Sequence, residues 1–318
     1  MHIYSLIYKN TICSKVEDVS IKDLKHLYKN GYGLGEDLVE HLSKVRISLY
    51  KCPKSNFFFY IPSNLEGDAT YYKQLELRNK NYYNTDSWEF FKAKKLIHRN
   101  EKVLEIGSGN LSFLRMLKDK TSNLVGIELN DTSVYAGVSE GFNMYNIPVE
   151  EFSKTHNEEF DVLCSFQVLE HISYNNLDSF IKHSLKCLKN GGRFIVAVPN
   201  SSSIFFKEKQ LLKYYTNDSS FKLHCTTLAL NMPPHHMGLW NENSLKSLVK
   251  KYPIKVKSIH KEKLAHFRVN LVRDILISKA SKFLGLKLSK FLCNKLFSNE
   301  FIKKYFKGDS ILIEFVKR

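Results

Sequence analysis

The sequence predicts an α/β fold: an open sheet flanked by helices, with a ligand loop at the carboxyl end of one strand. Three observations predict it. First, Val103 to Ile106 is a short apolar run closed by Gly107 and Gly109. Leu111, Phe113, Leu114 and Leu117 then recur at helical spacing, so strand, glycine turn and helix follow one another. Second, apolar runs at 124–129, 142–147, 160–166 and 194–198 repeat the strand signal with helical stretches between them. Third, Glu128 stands 19 residues after Gly109, at the end of the second of these strands. Glycines let backbone approach a ligand closely, and the helix start offers free N–H groups.

Composition bounds the partners. The chain has 318 residues, 43% hydrophobic, enough for one large unit or two modest ones. Mean hydropathy is −0.30, and no apolar run reaches the ~20 residues of a membrane span. The first fifteen residues lack a basic start, a long apolar centre and a small-residue cleavage site, so a soluble cytoplasmic protein is expected. Six cysteines form no C-x-x-C pair, which argues against a zinc framework and a disulfide scaffold. Net charge is +16, of which +11 lies in 253–318, where 16 Lys and Arg face 5 Asp and Glu. Such a tail attracts polyanions: nucleic acid, anionic lipid or a phosphorylated substrate.

In chain order, residues 1–84 stand outside the strand–turn–helix pattern. β-like runs at 45–50 and 57–61 and a helix near 36–43 predict a small α+β unit. Residues 88–97 read as an amphipathic helix with Phe90, Phe91 and Ala93 among its apolar positions. The glycine loop follows. A dinucleotide loop, G-x-G-x-x-G, would need its third glycine where Ser112 stands, which disfavours NAD. Glu105-Ile106-Gly107-Ser108-Gly109 instead resembles the E-x-G-x-G first motif of class I S-adenosyl-L-methionine (SAM) methyltransferases. That resemblance implies SAM as cofactor and a Rossmann-like seven-stranded sheet whose last strand is antiparallel. It also implies Glu105 near the ammonium of the cofactor's methionine part. Leu111 stands where the motif usually has a third glycine. Gly107, Gly109 and Asn110 would line the cofactor. Glu128, with Leu129 beside it, would accept from the ribose hydroxyls.

Asp131 is expected to cap the next helix. After the third strand, Pro148 stands where relatives hold the adenine amino group, so the backbone of Val149 and Glu150 is expected to do so. The fourth strand leaves the sheet through Phe166-Gln167-Val168-Leu169-Glu170-His171, at the edge where open α/β sheets bind ligands. Phe166 and Gln167 are expected among the cofactor contacts. Q-V-L-E-H-I is similar to the x-V-L-E-H-V of small-molecule methyltransferases. Quinone-pathway members of that branch are proposed to hold magnesium with a preceding glutamate plus the Glu-His pair, which is Glu170-His171 here. Gln167 is a neutral amide in that place, so no metal is expected. The N/D-P-P-Y motif of amino-methylating nucleic-acid enzymes is absent from 166–169, which disfavours nucleic acid. An RNA methyltransferase using the basic tail, and a non-catalytic scaffold of the same fold, are the alternatives. A helix over 177–188 is expected to end at Asn190-Gly191-Gly192.

Residues 200–240 are long for a connection and read as a lid. It carries Phe205, Phe206, Tyr214, Tyr215 and Phe221, and ends in Pro233-Pro234-His235-His236. His235 or His236, and after them His171, are the candidate catalytic bases for a hydroxyl acceptor, because imidazole titrates near neutral pH. Asn241 or Asn243 caps a helix to Val249, a sixth strand covers 254–259, and the seventh is 310–316. Between them, 264–307 reads as a helical insertion. Val272, Ile275, Leu276 and Leu284, Leu288, Phe291, Leu292 form stripes between lysines. A basic amphipathic element of this kind suits a membrane surface or an anionic substrate.

A second resemblance is carried by Tyr50-Lys51-Cys52-Pro53, Phe58-Phe59-Tyr60-Ile61-Pro62, Tyr71-Tyr72, Tyr82-Tyr83, Trp88-Glu89 and the P-P-H-H stretch. These resemble methyltransferases of bacterial surface-polysaccharide gene clusters. Relatives can carry metal-binding cysteine pairs where only Cys13 and Cys52 stand here. The expected division is a degenerate cysteine module at 1–84 and a methyltransferase domain at 85–318. The resemblance implies methyl transfer to a hydroxyl of a sugar or other small molecule, nucleotide- or lipid-linked, with possible peripheral membrane contact.

Overall fold

The computed structural model describes residues 2–79, 86–203, 218–263, 273, 276–277, 279–297 and 307–318. Tyr82, Tyr83, Phe205, Phe206, Tyr214, Tyr215, Val272 and Ile275 lie outside the described residues.

A small antiparallel sheet opens the chain. Strands β1 (Ser14–Asp18), β2 (Ser48–Lys51) and β3 (Phe58–Ile61) pair in sequence order. Helix α1 (Ile21–Asn30) starts at Ser20, whose hydroxyl accepts from Asp23 N at 3.2 Å. The helix expected near 36–43 is a 3₁₀ helix, Glu36–Leu42. Helix α2 (Ala69–Arg78) follows, capped by Asp68. The sheet takes its fourth strand from far along the chain: β9 (Gly238–Leu239) pairs with β3. The core beneath it is equally non-local. Leu24, Tyr28, Leu42, Tyr60 and Tyr71 pack with Cys225, Leu228, Ala229, Met232 and Met237, several of which lie on α8 (Asp218–Leu230).

The second sheet follows α3 (Trp88–Leu96) and has seven strands: β4 (Val103–Ile106), β5 (Leu124–Ile127), β6 (Asn143–Tyr145), β7 (Phe160–Phe166), β8 (Leu188–Pro199), β10 (Ile254–Lys263) and β11 (Lys307–Lys317). Their order is β10-β11-β8-β7-β4-β5-β6, and β11 runs antiparallel to both its neighbours. This is the expected α/β, Rossmann-like seven-stranded sheet with an antiparallel last strand. Its central strands, β4, β5, β7 and the Phe194–Val198 stretch of β8, are buried and mostly apolar because both faces are covered. Leu104, Leu163, Val196 and Ile313 enter one core; Val103, Cys164, Ile195 and Leu312 enter the other.

Helices α4 (Ser112–Leu117), α5 (Asp131–Ser139), α6 (Val149–Phe152) and α7 (Leu177–Cys187) connect the strands. The cap of α5 corrects the expectation by one residue: Asn130, not Asp131, accepts from Thr132 N and Ser133 N. Helix α7 runs directly into β8 at Leu188, without a glycine cap. Gly191, at φ +76°, lies in a bulge where the β7–β8 register skips from Leu188 to Arg193. Asn241 caps α9 (Glu242–Ser247) in a reciprocal capping box with Ser244. Within the insertion, α10 (Leu286–Phe297) follows a break at Gly285. No helix among the described residues is long and apolar enough to cross a membrane.

Candidate active site

The carboxyl ends of β4, β5 and β7 meet at one edge of the large sheet. The loop after β4 is shaped by positive φ: Gly107 at +77°, Gly109 at +47° and Leu111 at +67°. Leu111 thus adopts the left-handed conformation that the absent glycine would take freely, a cost its burial offsets. A Cβ on Gly107 would run into Val168 Cγ2, so the loop fits only bare backbone here. Glu128 closes the loop from β5. Its carboxylate accepts from Gly109 N at 2.7 Å, Leu129 N at 2.7 Å and Asn130 N at 2.9 Å. Leu129 leaves its side chain exposed beside this acid.

Glu105 is buried, and its Oε2 meets no hydrogen-bond partner among the described residues. Burial, reinforced by the Glu128 charge, holds its pKa well above the ordinary carboxylate value. An orphaned acid beside a glycine cradle fits a ligand that brings a cation and polar hydroxyls. Asn110 serves the loop itself, its Oδ1 accepting from Ser112 N at 3.2 Å and Ser112 Oγ at 2.7 Å. Val149 and Phe166 send their side chains into the cores, so backbone is what they can offer a ligand. Glu150, next to Val149, is half-buried at the start of α6.

Gln167 leaves β7 at φ +54°. Its Nε2 donates to Glu89 Oε1 and Ser310 Oγ, both at 3.2 Å. Glu89 is buried on α3, and Ser310 is an early residue of β11. Sequence patterning did not assign either to the site. Glu89 carried only the W-E resemblance, and Ser310 is brought in by strand order.

One turn farther on, His171 meets the segment that follows α8, at His235 and His236. Its ring centroid is 4.8 Å from that of His235 and 5.0 Å from that of His236, and the last two rings stack at 4.6 Å. Each of these residues is a candidate base by sequence alone; the fold makes them one cluster. Tyr72 Oη lies 3.0 Å from His171 Nδ1, and Asn231 Oδ1 lies 3.1 Å from His236 Nδ1. Burial lowers the pKa of His171 to about 4 and those of His235 and His236 well below the usual value, so all three rings are neutral at pH 7. Glu170, next to His171, is buried, and desolvation pushes its pKa up to about 8.

Comparison with known proteins gives this arrangement a family. A family model described as a methyltransferase domain matches residues 77–258, more than half of the chain. No curated protein matches. Among solved structures, a SAM-dependent methyltransferase from Archaeoglobus fulgidus is similar at 17% identity and TM-score 0.49, covering 79% of this chain and 100% of its own. A protein from Pyrococcus horikoshii is similar at 14% identity and TM-score 0.48, with coverage of 79% and 100%. The family match, the sheet order and the cradle of Glu105, Gly107, Gly109 and Glu128 agree. The chain therefore belongs to the methyltransferase-domain family and is a methyltransferase with S-adenosyl-L-methionine as its cofactor.

Proposed function

We propose that this enzyme methylates a hydroxyl of a sugar or similar small molecule, carried on a nucleotide or lipid diphosphate, in cytoplasmic surface-polysaccharide synthesis. One observation carries the reading: three neutral imidazoles gather beside the exit of β7, past the cofactor loop. A hydroxyl must lose its proton as its oxygen takes the methyl group, and a neutral imidazole can accept it.

Bound in the cradle, the cofactor supplies a methyl group on a sulfonium. The chain's part is alignment. The carboxylate of Glu128 and the backbone of Gly107 and Gly109 would fix the nucleoside end, and Glu105 the amino-acid end. Val149 and Glu150 would meet the adenine through backbone. Leu129, Phe166 and Gln167 would complete the wall. Holding two reactants in line replaces a bimolecular encounter and lowers the barrier by entropy alone. His235 or His236, with His171 in reserve, takes the acceptor's proton. Tyr72, half-buried with its ring 5.9 Å from that of His235, offers an aromatic face suited to a sugar.

The insertion supports a location near a membrane. On and around α10, Phe283, Leu284, Leu286, Leu288, Phe291, Leu292 and Leu296 are exposed. Lys279, Lys282, Lys287, Lys290 and Lys295 accompany them, and residues 276–297 contain no acid. Apolar side chains among lysines match an anionic bilayer surface, where a lipid-linked acceptor would lie.

The test is turnover of SAM against nucleotide-sugar and lipid-diphosphate sugar pools, read by mass spectrometry. One added methyl, placed on oxygen by fragmentation, supports the reading. Methyl transfer to RNA and not to any sugar pool overturns it.

A further inference from the structure

The three histidines are arranged in a way that proton acceptance alone does not require. His171 follows β7. His235 and His236 close the turn after Met232, where both their N–H groups donate to Met232 O. The two segments are locked together by backbone: Met237 N and Gly238 N both donate to Glu170 O, at 2.8 and 3.0 Å. From the other side, Gly67 N donates to Pro234 O at 2.8 Å. The cluster thus sits on a braced frame rather than on a loose loop.

The hydrogen bonds settle where the protons lie. His171 Nδ1 is 2.6 Å from His235 O, and a carbonyl only accepts. Nδ1 therefore carries the proton, and the lone pair is on Nε2. His236 Nδ1 faces Asn231 Oδ1 at 3.1 Å, which places its lone pair on Nε2 as well. That Nε2 lies 4.0 Å from Oε1 of Glu170. Neither carboxylate oxygen of Glu170 meets a donor on another described residue, although the residue is 1% exposed. A buried acid whose oxygens meet no described partner thus lies beside an imidazole lone pair, a donor set that a cation would complete.

One ligand nitrogen from each of the three histidines lies within 4.8 Å of the others. We propose that His171, His235 and His236 bind one divalent first-row transition-metal ion of the zinc type, with Glu170 as the acidic partner beside His236. An ion with Zn–N distances of about 2.0–2.1 Å would bring these atoms to about 3.4 Å of one another, from separations of up to 4.8 Å. The donor set selects the ion. Neutral imidazoles suit zinc, nickel, cobalt or iron(II), whereas magnesium prefers oxygen. The bonds from His171 Nδ1 to a carbonyl and from His236 Nδ1 to an amide oxygen are the outer partners that orient metal-bound imidazoles. Three protein nitrogens leave a coordination position for water or an acceptor oxygen. The site keeps His171 and Glu170 of the magnesium arrangement weighed above but does without Gln167, and it takes two of its three ligands, His235 and His236, from the segment after α8.

The inference goes beyond the methyl-transfer reading and changes one part of it: imidazole lone pairs held by an ion cannot take the acceptor's proton, so a hydroxide on the open coordination position would take it instead. It is tested without turnover. The full chain, stripped with a chelator, is titrated with cobalt(II) and then zinc. Elemental analysis and the visible cobalt absorption are recorded. One equivalent per chain is expected, with a visible band that zinc bleaches. His236→Ala and His171→Gln should each lose the band and the stoichiometric ion. His183→Ala, a histidine that pairs with Ser153 Oγ at 2.7 Å on α7, should keep both. Circular dichroism confirms that each variant is folded, and SAM calorimetry is run on the same samples. No band and no stoichiometric ion in the folded wild-type chain, or full retention in both cluster variants, overturns the proposal. A metal-binding chain that ignores SAM would overturn the methyl-transfer reading alone.

Discussion

At φ +77°, with Val168 Cγ2 where a Cβ would go, Gly107 has no substitute. Gly107→Ala is expected to lower SAM affinity at least tenfold in calorimetry, because the loop must shift away from the ligand by which it was shaped. Unchanged affinity would place the cofactor elsewhere. Glu105 makes a pH prediction. Its pKa is raised, so the folded chain keeps a proton that the unfolded chain loses near the ordinary carboxylate value. Its contribution to stability therefore falls as pH rises from that value through the folded one. A cofactor ammonium beside it would favour the ionised form, so binding should expel a proton. Calorimetry in two buffers of different ionisation heat should show this release, and Glu105→Gln should abolish it; equal heats for the wild-type chain would remove Glu105 from the cofactor. His235→Ala or His236→Ala should slow turnover roughly 10²–10⁴-fold, the span for a lost proton acceptor, with SAM affinity unchanged. Full turnover in both variants would move the role to His171. These residues were legible because glycine, acid and histidine in fixed spacing have few other uses. Glu89 was not, since a lone glutamate on a helix ordinarily faces water.

Strands β8 and β11 are held by more than their ladder. Arg193 is buried, donates to Leu96 O, and is paired with Glu101 and with Glu314, the latter at 3.3 Å. Glu314 also accepts from Ser258 Oγ at 2.9 Å, which ties β10 to the same point. Glu314→Ala should cost about 3–5 kcal/mol in urea unfolding, since it strips a buried guanidinium of one of its partners. Joint replacement by Arg193→Met and Glu314→Leu should recover much of this, while a single variant with wild-type stability would discount the pair. Element order was readable because strands buried on both faces are apolar along their whole length, as in Phe194–Val198. Element ends were less so. Asn130 and Asp131 are both good caps, and only the local backbone decides between them. Gly191 signals a turn, but whether it closes a helix or opens a bulge depends on where β7 stands.

Charge and apolar exposure set the behaviour of the molecule as a whole. If α10 and its lysines rest on anionic lipid, the chain should sediment with anionic vesicles at low salt and be released by ~0.5 M salt, where screening shortens to a few ångströms. Replacing Phe283, Phe291 and Leu292 by serine should reduce association with SAM affinity preserved. Equal sedimentation with neutral and anionic vesicles would assign these side chains to another partner. The sequence showed the stripes and the charges of this insertion. It did not show that His171 and His235, 64 residues apart, share a site, because that depends on where the turn after α8 meets the exit of β7.

The two residues of β9 also set a schedule. The small sheet lacks its fourth strand, and its core lacks Cys225, Leu228, Ala229, Met232 and Met237, until synthesis has passed residue 239. Chains grow at about 5–20 residues per second, so the first 79 residues wait on the order of ten seconds or more for partners that have yet to be made. During that wait β4 to β8 can already assemble. The amino-terminal unit is thus expected to fold after β4 to β8, with only β10 and β11 to follow, although it is the first to emerge, and a nascent chain halted before Gly238 should present its tyrosine-rich surface to chaperones and proteases.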